Sequence, residues 1–225
     1  MTYKGVIFDF NGTVFWDTRL HNQAWDLFLN KYGIDWTVDE KMQKIMGRTN
    51  QDILQTVFNG ARSEAEIVSL TMEKESIYQE LCLKSKLQLA TGVIDFFEFL
   101  MAEKIPFTIA SASGKENIDF YFDHLSLGKW FNYGNVVYND GSFRGKPSPD
   151  IYMLAAKKLE LDPGEIVVFE DSAPGIQAAE SAGIGKIIIV NSNNADYRVW
   201  PYEIISGFAE VDRKLFSDDE QQAWN

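Results

Sequence analysis

At 225 residues with 45% hydrophobic content, the chain can bury one substantial core and still supply a smaller second unit. A formal net charge of −12 argues against nucleic acid or an anionic membrane surface as partner, since both require a basic face. A lone cysteine, Cys82, excludes an internal disulfide and suits a reducing cytoplasm; no leader is expected ahead of "GVIF", and no apolar stretch is long enough to span a bilayer. In chain order, "GVIF" (5–8) reads as a buried strand that breaks at Asp9 and turns through Asn11-Gly12, a pair tolerant of positive φ. Residues 18–85 carry helical periodicity and no convincing strand. Leu20, Ala24, Leu27 and Phe28 mark a helix ending near Gly33, Thr37/Glu40 and Ser63/Glu66 form capping boxes, and Gly47 and Gly60 punctuate the rest. Beyond them, Val93, Phe96, Phe97, Leu100 and Met101 make a helical stripe, as do Ile151, Leu154, Ala155 and Leu159. Continuous apolar runs at "FTIA" (107–110), "IVVF" (166–169) and "KIIIV" (186–190), with a weaker "NVVY" (135–138), are expected of parallel strands covered on both faces. "APGIQAAESAG" predicts a helix with Pro174 in its first turn and Gly183 past its end, and the last fifteen residues are expected to fray. Alternation of strand and helix defines an α/β core with a helical insertion after the first strand.

In an open parallel sheet, ligands bind beyond the carboxyl ends of the strands. Asp9 follows "GVIF", Ser111 follows "FTIA", Glu170 and Asp171 follow "IVVF", and the loop after "NVVY" carries Lys146. These types suit phosphoryl transfer: Asp9 as nucleophile, oxygen ligands from Asp9, the Asn11 backbone carbonyl and Asp171 for Mg²⁺, and Ser111 and Lys146 to hold the phosphoryl oxygens.

"DFNGT", "SAS", "GKPSPDIY" and "FEDSAPGIQAAESAG" resemble, in order, the four motifs of the haloacid dehalogenase superfamily. The insertion containing "GRTNQDIL" resembles the cap of the branch that includes β-phosphoglucomutase and phosphoglycolate phosphatase. The resemblance implies a Rossmann-like parallel sheet core at 1–17 and 86–225, an inserted all-helical cap at 18–85, Mg²⁺, and an aspartyl-phosphate intermediate. It assigns Asp9 as nucleophile, Ser111 and Lys146 as phosphate contacts, and Asp171 as metal ligand with Glu170 beside it. Gly12 and Thr13 in the first motif, and Ala112 and Ser113 in the second, fall on the phosphate-binding loops. Arg48 and Lys74 sit where cap contacts to substrate are plausible, although solvent-facing charge is the simpler account of both. The partner implied is a small phosphorylated metabolite, and the cap type implies a monomer.

Two departures stand out. Asn11 replaces the second carboxylate of the first motif, which in the family protonates the leaving group and later activates water; an amide can do neither, and such help is typically worth about 10²–10⁴-fold in rate. Trp16 stands where these sequences often carry an acidic residue, with Asp17 displaced by one position. Keeping Glu170-Asp171 argues against carbon–halogen chemistry, and Asn50 lies where a phosphonate hydrolase needs a lysine. The missing carboxylate disfavours a mutase. A Mg²⁺-dependent phosphatase slowed by Asn11 is therefore the expected activity, with His21, twelve residues after Asp9, as a substitute proton carrier. A phosphate-ligand binder without turnover, or an Asp-to-Asn variant made to trap a complex, are the alternatives.

Overall fold

The computed structural model describes residues 2–45 and 48–217, so the expectations at Gly47 and for the acidic tail beyond 217 lie outside the described residues. Six strands form one parallel sheet: β1 (Gly5–Phe8), β2 (Phe107–Ser111), β3 (Val137–Tyr138), β4 (Ile166–Glu170), β5 (Lys186–Val190) and β6 (Glu203–Ile205). Their spatial order is β3-β2-β1-β4-β5-β6, so the chain reverses direction across the sheet between β1 and β4. Ligand crevices open at such a switch point.

Both faces are covered, as the continuous apolar runs require. Val6 and Phe8 of β1 pack into an aromatic-rich core on one side, while Ile7 joins a second cluster with Ile151, Tyr152 and Ala155 on the other. Phe8 stacks on its register partner Phe169 at 5.3 Å between centroids and meets Phe97 edge-on at 5.2 Å. Pairing continues one residue further, where the Asp9 N–H donates to the Phe169 carbonyl at 2.9 Å. Close-packed rings on adjacent strands thus fix the heights at which Asp9 and Glu170 leave the sheet.

Four helices follow β1: α1 (Thr18–Lys31), α2 (Val38–Lys44), α3 (Asn50–Val57) and α4 (Glu64–Lys84). Both predicted capping boxes are present, Thr37 with Glu40 and Ser63 with Glu66. These helices bury a core of their own, in which Trp25, Phe28 and Leu29 of α1 meet Ile53, Leu54 and Ile67. The inward stripe of α1 differs from the predicted one: Leu27 is exposed, and Trp25 and Leu29 take the buried positions. The remaining helices are α5 (Val93–Ala102), α6 (Lys115–Leu125), α7 (Asp150–Leu159) and α8 (Ala173–Ser181). Met101 and Leu154, read as part of inward stripes, are exposed. Among the described residues no helix is long and apolar enough to cross a membrane.

Strand β3 is shorter than the predicted run, because Asn135 and the residues before it form a 3₁₀ turn. Strand β6 has no counterpart in the sequence reading. Within the segment expected to fray, Val211 and Phe216 are buried.

Candidate active site

The loop after β1 is shaped by Gly12, which adopts φ +83. Asn11 is not at positive φ, so of this tolerant pair only Gly12 is left-handed. A Cβ at Gly12 would collide with the Asp171 carboxylate, which makes glycine necessary for sterics as well as for the turn. Thr13 is buried, and its hydroxyl donates to Asp171 Oδ1 at 3.4 Å.

Lys146 reaches this loop from the segment between β3 and α7. Its Nζ lies 2.6 Å from Asp9 Oδ1 and 2.5 Å from Glu170 Oε1, with all three side chains nearly inaccessible to solvent. Glu170 is held on every side: Oε2 accepts the N–H groups of Asp171 and Ser172 at 2.6 Å each, and Oε1 also accepts the Tyr152 hydroxyl at 3.1 Å. Gly175 in α8 leaves room for this carboxylate, since a Cβ there would overlap it. Asp9, Glu170 and Asp171 each offer a ligand oxygen, and these atoms lie within 4.8 Å of one another. Three carboxylates thus share one ammonium. Burial, which outweighs the nearby Lys146 charge, pushes the Asp9 carboxyl up to about 7, and burial with the Glu170 and Asp9 charges raises Asp171 well above the usual range. Burial opposes the Lys146 charge, yet Asp9 and Glu170 more than offset it and hold the ammonium firmly protonated. An oxygen-only donor set with an excess of buried negative charge fits a hard divalent cation.

At the end of β2, Ser111 is buried and its hydroxyl receives the Ser113 N–H at 3.1 Å. Both serine hydroxyls turn toward Asn11, donating to its Oδ1 at 3.3 Å from Ser111 and 2.9 Å from Ser113. The Asn11 amide nitrogen faces the opposite way, to Asp17 Oδ2 at 2.6 Å and Tyr121 Oη at 2.7 Å. Sequence reasoning treated Asp17 as a displaced residue without a role; the structure buries it completely beside Asn11. Trp16 is partly exposed, its indole N–H donating to the Thr13 carbonyl at 3.1 Å.

A cavity of about 930 Å³ runs from Asp9, Ser113 and Lys146 to His21, Arg48 and Lys74 on the helical side. Arg48 is exposed at its rim, in keeping with the simpler reading. Lys74 contradicts that reading: it is 1% exposed, 2.9 Å from Glu75 Oε1, and lies over the faces of Trp25 and Tyr78. Glu75 also accepts from Asn50 at 2.5 Å and, across to α6, from Asn117 at 2.8 Å. Burial disfavours its charge, but Lys74, His21 and Asn117 prevail and lower the carboxyl to about 2. His21 stacks on Tyr78 with ring centroids 3.8 Å apart. Its Nδ1 lies 3.1 Å from Lys74 Nζ and its Nε2 3.2 Å from Asp17 Oδ2. An ammonium only donates, so Nδ1 must accept and the ring proton sits at Nε2, facing Asp17. Glu75, Tyr78 and Tyr121 escaped sequence reasoning; an adjacent Lys-Glu pair within a helical stripe carries no local signal that both side chains turn inward.

A family model described as haloacid dehalogenase-like hydrolase matches residues 3–183. A phosphorylated carbohydrates phosphatase of Thermotoga maritima is 30% identical over 222 residues, spanning 92% of this chain and 99% of the relative. The fructose-1-phosphate phosphatase YqaB of Escherichia coli is 28% identical over 82% of this chain and 95% of its own. Among solved structures, a HAD hydrolase of family IA, variant 3, from Entamoeba histolytica superposes with a TM-score of 0.86 at 33% identity, covering 95% of this chain and 97% of that one. The chain belongs to the haloacid dehalogenase-like hydrolases. It has the Rossmann-like parallel core expected from its motifs, and it is similar over nearly its full length to enzymes that hydrolyse phosphoric monoesters.

Proposed function

We propose that the protein is a Mg²⁺-dependent phosphatase of a small phosphorylated carbohydrate-like metabolite, acting through an aspartyl phosphate on Asp9 and slow on unactivated esters. The observation that carries this reading is the Asp9–Lys146–Glu170 cluster at the sheet's switch point, with Asp171 and Ser111 beside it. Asp9, the Asn11 backbone carbonyl and Asp171 would hold the cation; Glu170, its oxygens already bonded, anchors Lys146 and the 171–172 backbone. When bound, the cation neutralises phosphoryl oxygens and the carboxylates around them. Lys146 and Ser111 orient the phosphoryl group for attack by an Asp9 oxygen; the ester P–O bond breaks, its electron pair stays on the leaving oxygen, and that oxygen takes a proton from solvent water. Water then attacks the acyl phosphate, releasing inorganic phosphate and regenerating Asp9.

Asn11 cannot give the leaving oxygen its proton or take one from water. His21 does not replace it, because both ring nitrogens are engaged, one by Lys74 and one toward Asp17. Phosphate esters of acidic alcohols, which leave without protonation, should therefore turn over much faster than alkyl esters. The carbohydrate class is supported by the names of the Thermotoga and Escherichia relatives and by a cavity large enough for a sugar phosphate. Phosphate release with Mg²⁺ from an aryl phosphate and from a panel of sugar phosphates tests the reading. Aryl turnover exceeding sugar turnover by at least about 10²-fold is expected; no turnover of either, with ligand binding retained, would establish a binder instead.

A further inference from the structure

Asp17 is a buried carboxylate whose acceptor sites are filled by four donors. Oδ2 receives the Asn11 amide at 2.6 Å, the Tyr78 hydroxyl, and the Nε2 edge of His21 at 3.2 Å; Oδ1 receives the Gly12 N–H at 3.1 Å. The donor chain runs in one direction. The second Asn11 N–H goes to Tyr121, the Tyr121 hydroxyl donates to Tyr78 at 3.1 Å, and Tyr78 donates to Asp17. The Asn11 amide nitrogen also lies 3.3 Å from His21 Nε2, and the hydroxyl chain terminates on a group that only accepts. Rotating the Asn11 amide by half a turn would set its oxygen against Asp17 and its nitrogen against the two serine hydroxyls, so one orientation alone satisfies all partners.

A carboxylate at position 11, itself half-buried at the cavity wall, would lose the donor that the fully buried Asp17 requires and add a second negative charge 2.6 Å from the first. We propose that Asn11 and Asp17 are one matched unit: Asp17 is the positioning residue that turns the Asn11 side-chain oxygen toward Ser111 and Ser113, and a carboxylate is accommodated at 11 only when the one at 17 is removed. The amide at 11 then belongs to this chain's own design, since the rest of the network is built around it. The displaced acid at 17 and the missing acid at 11 are a single change rather than two.

The test is a double-substitution cycle on the full chain, read by thermal unfolding and by steady-state kinetics. Asn11→Asp alone should lower Tm by roughly 6–20 °C, the scale of an uncompensated buried charge in a domain of this size. Asp17→Asn alone should also lower Tm, because an amide cannot accept all four donors. The exchange Asn11→Asp with Asp17→Asn should return Tm to within roughly 3 °C of the parent, a coupling far beyond additivity. Should Asn11→Asp be insoluble, recovery of soluble, cooperatively unfolding protein on adding Asp17→Asn supports the unit, and continued insolubility overturns it. Additive Tm losses, or Asn11→Asp as stable as the parent, also overturn it. The kinetic arm rests on the phosphatase reading: the double variant should gain about 10²–10⁴-fold in kcat on a sugar phosphate with KM little changed. With parent aryl-phosphate turnover established first, restored Tm without that gain would reduce Asp17 to a purely structural residue and overturn the positioning role. Absent parent turnover would overturn the phosphatase reading and leave the Tm cycle standing as the test of the unit.

Discussion

The two ends of the cavity each bury a lysine against carboxylates, and they balance charge differently. At the sheet end, Lys146 serves Asp9 and Glu170 with Asp171 close by, and burial drives Asp9 and Asp171 upward. At the helical end, Lys74 and Glu75 are matched one to one, and the carboxyl falls to about 2. Similar residue types therefore define opposite roles. The unbalanced end is prepared for an incoming cation, while the balanced end is complete and serves as a rigid polar wall joining α4 to α6 through Asn117.

The largest expected effect separates the ends chemically. Asp9→Asn should cost at least about 10⁴-fold in kcat, the scale of losing a covalent nucleophile, with Tm unchanged or raised because a buried charge is gone. An active Asp9→Asn enzyme would refute the assignment. Next come the lysines. Lys146→Met and Lys74→Met should each destabilise by about 3–5 kcal/mol in urea unfolding, since each strands buried carboxylates. Millimolar Mg²⁺ should recover much of the first loss and none of the second; equal response of the two variants would erase the distinction.

pH sharpens it further. Folded Asp9 titrates near 7 against 3.8 when unfolded, so between those values the folded chain holds a proton that the unfolded chain has released. Metal-free protein should lose stability through this group as pH rises across that window, by on the order of a few kcal/mol. Glu75 acts in the opposite sense, its contribution present above 4.5 and lost as pH falls toward 2. Urea titrations at pH 5 and pH 7.5 should show a slope that Asp9→Asn reduces, the raised Asp171 acting in the same sense, and that Glu75→Gln leaves alone. The smallest effect belongs to the exposed rim: Arg48→Ala should raise KM about three- to tenfold with kcat unchanged, as expected for loss of uniform substrate binding. A kcat loss instead would bring Arg48 into the chemistry.

The sheet end was legible in the sequence because strand ends are marked locally. An apolar run followed by Asp9, Ser111 or Glu170-Asp171 announces both the strand and the residue that leaves it, and the parallel fold brings such ends together. The capping boxes were legible for the same reason, their partners being three residues apart. The helical end was not. Leu27 faces solvent although it continues an apolar stripe, because Trp25 and Leu29 face the α3–α4 core instead. Lys74 and Glu75 look like a solvated pair until α1 and α6 close over them. Asp17 meets Tyr78 and Tyr121 only through contacts spanning more than forty positions in the chain. Strand β6, whose first two residues are exposed, lacks the apolar run that marks the other strands.

Cys82 lies on the buried face of α4, one helical turn beyond Tyr78, and burial raises its thiol to about 12. As the chain's one cysteine, it supplies a chemical clock without any engineering. A thiol-reactive probe should stay unincorporated while α4 is seated against α1 and α6 and label at the rate at which that helix lifts away. The labelling rate with and without bound phosphate would thus time the parting of α4 from its neighbouring helices on the native molecule.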